Sequence, residues 1–180
     1  MRAEVVAVSL SPTHTFSKHP QPEIELLAGL GVHGDAHCGS TVQHRYRRRR
    51  DPRQPNLTQV HLLQSAFFAD LRPLGFHLQP GDLGENITTS GIDLLSLPTS
   101  TRLHLGATAV LELTGLRTPC TQMNRLHPGL MAAAFTPDSE HGKVPRAGVM
   151  AIVLRGGRVA PGCPILAELP PSPRLPLRCV

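Results

Sequence analysis

Residues 102–115 read RLHLGATAVLELTG and residues 149–166 read VMAIVLRGGRVAPGCPIL, and these two stretches decide the fold class. Each holds two runs of apolar and β-branched residues around a glycine turn signal, at Gly106 in the first and at Gly156–Gly157 in the second. Such runs predict strands joined by turns. The sequence AEVVAVSL at residues 3–10 predicts an opening strand, and a hairpin partner is expected after it.

Helices are fewer in this sequence than strands. Between Gln64 and Leu74, apolar residues recur at spacings of three and four, which predicts an amphipathic helix, the longest of the chain, ended by Pro73 and Gly75. A second short helix is predicted over residues 129–135. Strands and helices do not alternate, so we expect a mainly β fold, a β-rich α+β fold built as a small barrel or a twisted mixed sheet.

The length and composition indicate one folded domain. The chain has 180 residues, and domains of about 150 residues are typical. Glycine and proline together account for 34 residues, below the share of roughly 25–30% that would suggest disorder. We expect a single domain over residues 1–169. The tail at residues 170–180, PPSPRLPLRCV, holds four prolines and should be extended or disordered.

The formal net charge of +5 is concentrated in one segment. Residues 43–53, QHRYRRRRDPR, hold six Arg and one Asp, so the rest of the chain has 12 basic and 12 acidic residues. Like charges this close repel one another, which predicts a solvated excursion. A stacking platform for nucleic acid is not expected, because the chain has no Trp, one Tyr and five Phe. A non-catalytic module that uses Arg45–Arg53 to bind nucleic acid, an acidic partner or an anionic membrane stays the alternative function.

The sequence also bears on the cellular compartment. No run of 18 apolar residues is present, and Glu4 interrupts the short apolar N-terminal stretch, so neither a membrane span nor a secretory signal is expected. The cysteines form no C-x-x-C pair, which is atypical of disulfide-stapled domains and of all-cysteine zinc sites. They are Cys38, Cys120, Cys163 and Cys179. A cytoplasmic location is therefore expected.

The first cluster of chemically useful residues is GVHGDAHCG at residues 31–39. Its glycines allow tight turns and a close approach of the backbone to a ligand, which is typical of a pocket loop. Side chains of the types that bind zinc occur at His33, His37, Cys38 and His44. No helix sets their spacing and no second ligand pair is present, so zinc is not favoured. We expect turn residues instead, with Asp35 orienting a histidine or a backbone amide.

The second cluster is PGDLGENIT at residues 80–88, where two glycines precede an acid–amide pair that leads into a strand. A carboxylate at Glu85 and an amide at Asn86 together offer donors and acceptors, which suits recognition of the edge of a heterocyclic ligand. An Asx turn that caps the strand is the alternative interpretation.

The third cluster is TGLRTPCTQMNR at residues 114–125, which places Cys120 on a polar loop directly after an apolar strand. Most cysteines are buried and inert, but Arg117 and Arg125 flank this one, and guanidinium charges favour the thiolate form. A thiolate can act as a nucleophile, as a sulfur carrier, or as a ligand to molybdenum or copper. From the residues alone, both the inert and the reactive interpretation stay open.

At these three clusters the sequence resembles the MOSC domain, the module named after the C-terminal part of molybdenum-cofactor sulfurases, which also occurs as small stand-alone bacterial proteins. The resemblance covers roughly residues 3–168. Its motifs are GVHGDAHCG (31–39), PGDLGENITTSGIDLLSLPTSTRLHLG (80–106), LELTGLRTPCTQMN (111–124) and GVMAIVLRGGRVAPGCPI (148–165). The resemblance implies a β-barrel with a few short helices and an essentially invariant cysteine, which falls on Cys120.

The resemblance also implies a function centred on Cys120. This cysteine would carry sulfur to a metal–sulfur centre or ligate the molybdenum of a molybdopterin cofactor, and some stand-alone relatives reduce N-hydroxylated purines. The substrate would be a small molecule. The sequence has no P-loop, dinucleotide fingerprint or iron–sulfur motif, so a separate protein would donate the sulfur or the electrons. The candidate cofactor-binding residues are Asp35, His37, Glu85, Asn86, Thr88, Arg117, Thr118, Asn124, Arg125, Lys143 and Arg146.

Within this set the residues take two roles. Bidentate guanidinium groups suit phosphate and pterin oxygens, and the candidate cations are Arg117, Arg125, Lys143 and Arg146. Glu85 and Asn86 would contact the heterocycle. The chain departs from the expected family pattern at Cys38, at Cys163 and in its arginine run.

Overall fold

A computed structural model of the protein describes residues 2–138 and 142–180, and strands dominate it. In chain order the strands are β1 (Glu4–Leu10), β2 (His19–Gln21), β3 (Ile24–Leu27), β4 (Gly31–Val32), β5 (Val60–Gln64), β6 (Ile87–Ser90), β7 (Arg102–Leu105), β8 (Ala109–Leu116), β9 (Phe135–Asp138), β10 (Gly142–Pro145), β11 (Val149–Arg155), β12 (Gly157–Val159) and β13 (Ile165–Glu168). The helices are α1 (Arg45–Arg50), α2 (Ala66–Leu71), α3 (Met123–Leu126) and α4 (Leu130–Ala133), with single 3-10 turns at Arg72–Leu74 and Leu94–Ser96. The predicted mainly β class is confirmed.

The largest sheet has eight strands in the order β13-β7-β8-β11-β5-β6-β1-β2. Its neighbours are antiparallel except β5 and β6, which are parallel and are connected through α2. This parallel strand–helix–strand unit was not expected from the sequence. The short strand at residues 60–64 escaped prediction because it directly precedes the helical pattern of α2.

The predicted barrel is not confirmed, because no sheet in the described part of the chain closes on itself. The chain just before β13 approaches β1 through an isolated bridge between Glu4 and Pro164. There the amide of Val5 donates a hydrogen bond of 2.9 Å to the carbonyl of Cys163. The mixed sheet was the other expected architecture, and it describes the eight strands.

The two stretches that indicated strand–turn–strand units behave differently. The first is a hairpin, with β7 and β8 paired antiparallel from Leu105 opposite Ala109. In the second, β12 does not pair with β11, but joins β3 and β4 in a three-stranded sheet. A Cβ atom at Gly156 would lie 2.6 Å from the carbonyl oxygen of Leu26. The glycine therefore allows β3 to approach closely instead of making a hairpin turn.

Strand β5 contributes side chains to two apolar cores. Successive side chains of a strand point to opposite faces, so neighbouring residues of β5 enter different cores. Leu62 belongs to the core of the large sheet, which also contains Leu111 and Val149. Leu63 belongs to a second core against the helices, with Phe67 and neighbouring residues. His61 shares the face of Leu63, so the strand carries this polar side chain to the side of the second core.

The predicted helices are present with shifted bounds. The helix expected over residues 64–74 is α2 followed by a 3-10 turn, and it ends at Gly75, whose φ is +88°. The short helix expected over residues 129–135 is α4. The arginine run is helical in α1, whereas a solvated excursion was predicted. The prediction held for solvation, since no residue of α1 is buried. The helical conformation was not predicted, and it follows from the high helix propensity of arginine and from the cations near the helix C-terminus.

The C-terminal tail is extended along β8. The amide of Leu116 donates to the carbonyl of Arg178 at 2.8 Å, and Leu177 is buried. No helix within residues 2–138 and 142–180 is long and apolar enough to cross a membrane.

Candidate functional site

A cavity of about 410 Å³ collects residues from separate parts of the chain. Five of the predicted site residues line it: His37, Asn86, Arg117, Thr118 and Cys120. They come from the glycine-rich loop after β4, the start of β6 and the loop after β8. The three sequence clusters therefore meet at one place.

Several residues that sequence reasoning missed also line the cavity, among them Lys18, Tyr46, Arg47 and His61. A lone histidine inside the apolar strand at residues 60–64 was a usable signal for His61. Tyr46 and Arg47 lie in the arginine run, which was expected to stay away from the site. No local pattern marks Lys18, whose burial depends on contacts with distant segments.

The end of β8 positions the cysteine loop. The amide of Arg117 donates to the carbonyl of Gly148 at 2.9 Å, which holds the strand end against β11. The amide of Met123 donates to the carbonyl of Cys120 at 3.0 Å, where α3 begins. The thiol of Cys120 is half-buried and lies 3.7 Å from Oε1 of Gln122. The thiol is thus on a defined turn at the cavity wall.

Arg117 is the cation of this loop that enters the cavity. Burial lowers the pKa of its guanidinium, while attraction to Cys120 and Glu85 opposes that effect. The guanidinium carbon lies 5.5 Å from the ring centroid of Phe16. Its Nη1 is buried and has no hydrogen-bond partner within the described residues. An unpaired buried guanidinium nitrogen is costly, so this atom is a ready donor for an anionic or carbonyl oxygen of a ligand.

Asp35 forms the centre of a buried polar network beside the cavity. Its Oδ2 accepts from Nζ of Lys18 at 2.6 Å, from Nδ2 of Asn86 at 3.1 Å and from the amide of Ser11 at 3.2 Å. Its Oδ1 accepts from the amide of His37 at 2.9 Å and from Nδ1 of the same residue at 3.2 Å. The predicted role of Asp35, orienting a histidine, agrees with this geometry.

The charges in this network are strongly coupled. Burial raises the pKa of Asp35, but hydrogen bonds from His37 and Lys18 more than offset it, and the pKa lies below its ordinary value. Burial lowers the pKa of Lys18, against the attraction of Asp35. The side chain of Lys18 is only 5% exposed and that of Asp35 only 2%. Water therefore cannot replace either partner of this ion pair. Asp35 is therefore an ionised, fully engaged acceptor.

His37 is the member of the network that reaches the cavity. Its side chain is 27% exposed, and its Nδ1 is held by the Asp35 carboxylate. An ionised carboxylate at Nδ1 selects the tautomer with the proton on that nitrogen. Nε2 is then the ring nitrogen without a proton, which can accept a hydrogen bond.

The cluster at residues 85–88 forms hydrogen bonds with chain segments that surround the cavity. Oε1 of Glu85 accepts from the amide of Gly81 at 2.6 Å and from Oγ1 of Thr88 at 3.1 Å, and burial raises the pKa of this carboxyl. Asn86 lines the cavity, but its Nδ2 already donates to Asp35 and to the carbonyl of Ser9. Neither Glu85 nor Thr88 lines the cavity. The acid–amide pair thus joins chain segments, and Asn86 has no spare N–H for a heterocycle.

The structure does not bring the other predicted residues into the cavity. Asn124 and Arg125 are exposed on α3, and Oδ1 of Asn124 accepts from the amide of Met131 at 2.9 Å. Lys143 is exposed on β10. Arg146 pairs with Asp70 and lies over the Phe67 ring. Of the four cations expected to hold oxygens, only Arg117 lines the cavity.

The described residues contain no group of three or more His, Cys, Asp or Glu side chains arranged to hold a metal ion. His33 instead lies near Glu25, with Nδ1 3.6 Å from Oε2, on the exposed surface. His37 is turned toward Asp35. Cys38 is half-buried, and burial raises the pKa of its thiol.

Comparisons with known proteins give a family from a sequence model and a fold from solved structures. Residues 51–166 match the family model described as the MOSC domain. The structure is similar to the crystal structure of the YuaD protein from Bacillus subtilis, with a TM-score of 0.75 and 23% identity over 95% of this chain and 98% of that chain. It is similar to YiiM from Geobacillus stearothermophilus, with a TM-score of 0.67 and 17% identity over 97% and 79% of the two chains. For YiiM from Escherichia coli the TM-score is 0.63, with 17% identity over 97% and 73%. A sequence search of curated proteins gives no match.

Proposed function

The chain belongs to the MOSC domain family, and on that premise we propose that its cavity binds a molybdenum cofactor through Cys120 and serves the reduction of N-hydroxylated small molecules. The observation that carries the proposal is the pairing, in one cavity, of the Cys120 thiol with the unpartnered Nη1 of Arg117. A thiolate is a suitable ligand for a soft metal, and a buried guanidinium suits a phosphate or pterin oxygen.

The residues present fit such a cofactor. Cys120 would ligate the metal, and Arg117 would donate to an oxygen of the organic part. Arg47, which also lines the cavity, adds a second cation for a phosphate. The cavity volume of about 410 Å³ lies within the range of roughly 300–1,000 Å³ usual for small-molecule sites. Bound there, the cofactor would supply two-electron redox chemistry.

The reaction itself requires protons as well as electrons. Reduction of an N-hydroxylated amine consumes two electrons and two protons, breaks the N–O bond, and yields the amine and water. We assign one proton to Nε2 of His37, which can carry it while Asp35 stabilises the imidazolium. Lys18 and Asn86 hold Asp35 in place, so they position His37 without contacting the substrate. The electrons come from a separate reduced flavoprotein or iron–sulfur protein.

The proposal is tested by metal content. The protein is produced in a host that makes the cofactor, and molybdenum is measured in the wild type, in Cys120→Ser and in Cys38→Ser. Cys38 is also half-buried but does not line the cavity, so it is the matched control. We expect molybdenum in the wild type and in Cys38→Ser, and its loss in Cys120→Ser. Absence of molybdenum from all three preparations would refute cofactor binding.

Turnover in the same preparations tests the substrate class. The molybdenum-loaded wild type should reduce an N-hydroxylated purine only when a chemical reductant or a reductase is added. His37→Gln should keep the metal and lose turnover, since the change removes a proton carrier and no metal ligand. If the loaded protein is inactive with every reductant, the reduction is refuted.

Sulfur transfer would then be the function to test. Its first step would be attack of the Cys120 thiolate on a donor persulfide, which forms a persulfide on Cys120 and releases the donor thiolate. Mass spectrometry after incubation with a persulfide donor would show a gain of one sulfur atom at Cys120.

A further inference from the structure

The strongest charge concentration of the molecule lies beside the cavity. We call Arg45, Arg47–Arg50 and Arg53 the basic patch. It holds six of the 18 Lys and Arg residues, and the chain outside residues 43–53 has 12 basic and 12 acidic residues. None of the six forms an ion pair with a described residue. The net positive charge of the protein therefore comes from the segment that carries this patch.

The fold does not require the basic patch. No residue of α1 is buried, so the helix adds nothing to either core. Like charges one turn apart destabilise a helix by about 0.2–0.5 kcal/mol for each pair. The cations in the last turn suit the helix dipole, which explains why the helix tolerates them. Helix α1 can therefore accommodate these arginines, but neither core packing nor helix stability requires so many of them.

The position of the patch connects it with the site. His44, Tyr46 and Arg47 line the same cavity as Cys120. Arg47 is half-buried at the cavity wall, while Arg45 and Arg48–Arg50 are exposed. A partner that binds α1 would therefore sit at the mouth of the cavity.

We propose that the basic patch is the docking surface for an acidic protein, which binds α1 and covers the mouth of the Cys120 cavity. A cluster of carboxylates matches it, because each guanidinium can donate two parallel hydrogen bonds to one carboxylate. The proposal rests on the proposed function only for the role of the partner, which would be to deliver the electrons or sulfur that the reaction at Cys120 needs. The docking itself follows from the charge and the position of the patch.

A globular protein fits the patch better than a nucleic acid does. Helix α1 has six residues and spans about 9 Å, so it offers a compact basic spot. Nucleic-acid surfaces usually combine an extended basic face with aromatic side chains, and here the rest of the chain is balanced in charge and Tyr46 is the only tyrosine. A compact spot of one sign is suited to fast, salt-sensitive encounter with an oppositely charged protein.

The experiment uses a photo-crosslinking residue on the full chain in its cell of origin. The residue p-benzoylphenylalanine replaces Arg49 in the patch or, as a control, the exposed Arg155 outside it. We expect the Arg49 probe, but not the Arg155 probe, to crosslink a protein through a segment rich in Asp and Glu. The proposal would be overturned if the Arg49 probe crosslinked nucleic acid or lipid, or if both probes gave the same crosslinks.

The crosslinked protein is then purified and tested for binding. Binding to the wild type should weaken about tenfold between roughly 0.01 and 0.1 M ionic strength, where the Debye length falls from about 30 to about 10 Å. The bound acidic protein should also slow the alkylation of Cys120 by iodoacetamide, which is measured by peptide mass spectrometry. Two charge-matched variants separate the patch from net charge. One changes Arg45, Arg48, Arg49 and Arg50 to Gln, and the other changes Arg2, Arg72, Arg155 and Arg174 to Gln.

The first of these variants should lose both binding and the protection of Cys120, whereas the second should keep them. Equal binding by both variants, or binding without protection of Cys120, would overturn the proposal. Molybdenum content is measured in parallel. A wild type that docks the acidic protein but carries no molybdenum would refute the proposed function and leave the docking surface standing.

Discussion

Replacing Asp35 with Ala removes the acceptor at the centre of the buried network. Lys18, whose side chain is 5% exposed, would keep a buried charge without its partner, and breaking such a pair costs about 3–5 kcal/mol. The amide of Ser11 and Nδ2 of Asn86 would also lose an acceptor, at about 1–3 kcal/mol for each donor that stays dry. We therefore expect a loss of at least about 3 kcal/mol in the free energy of unfolding, a large share of the roughly 5–15 kcal/mol of a typical domain.

The assay is urea unfolding at neutral pH, followed by circular dichroism. The double variant Lys18→Met, Asp35→Ala should recover part of the loss, because it removes the buried charge along with its partner. A loss below about 1 kcal/mol for Asp35→Ala would refute the reasoning, since it would mean that Lys18 reaches water at little cost.

The pH dependence has a definite sign. The pKa of Asp35 is lower in the folded state than its ordinary value of 3.8, so its contribution is fully present above pH 3.8 and is lost as the pH falls toward the folded pKa. The difference in stability between the wild type and Asp35→Ala should thus shrink as the pH falls below 3.8. A difference that grows in acid would contradict the assignment.

Two further predictions concern the cysteine loop and the backbone behind it. Cys120→Ala should change the free energy of unfolding by less than about 1 kcal/mol, because the thiol is half-buried on a loop; a loss of several kcal/mol would make Cys120 a core residue. Gly148 and Gly162 both have positive φ, of +96° and +86°. Gly162→Ala, with open space around it, should cost about 1–2 kcal/mol, and Gly148→Ala, crowded by Leu62 and His61, clearly more in the same unfolding assay; equal costs would refute the crowding argument.

The parts of the site that could be predicted are local in sequence. Cys120 and Arg117 follow one strand, and Asp35 and His37 share one glycine-rich turn, so residue type and spacing, together with the family resemblance, selected them as candidates. The predicted cations on α3, on β10 and just after β10 failed to reach the cavity, because their neighbours in sequence do not determine which way these elements face. Arg146 illustrates this point, since its partner Asp70 lies 76 residues away.

The sequence by itself determined the class of the fold, because alternating apolar residues and glycine turns set local backbone conformation. It also marked candidate site residues, among them Cys120, and left the reactivity of Cys120 open. Only the tertiary structure decided that β12 pairs with β3, that β5 runs parallel to β6, and that Lys18 is buried against Asp35. These choices depend on the burial of apolar and charged groups between distant segments. Closing a longer loop costs little extra free energy, so distance along the chain does not mark the partner.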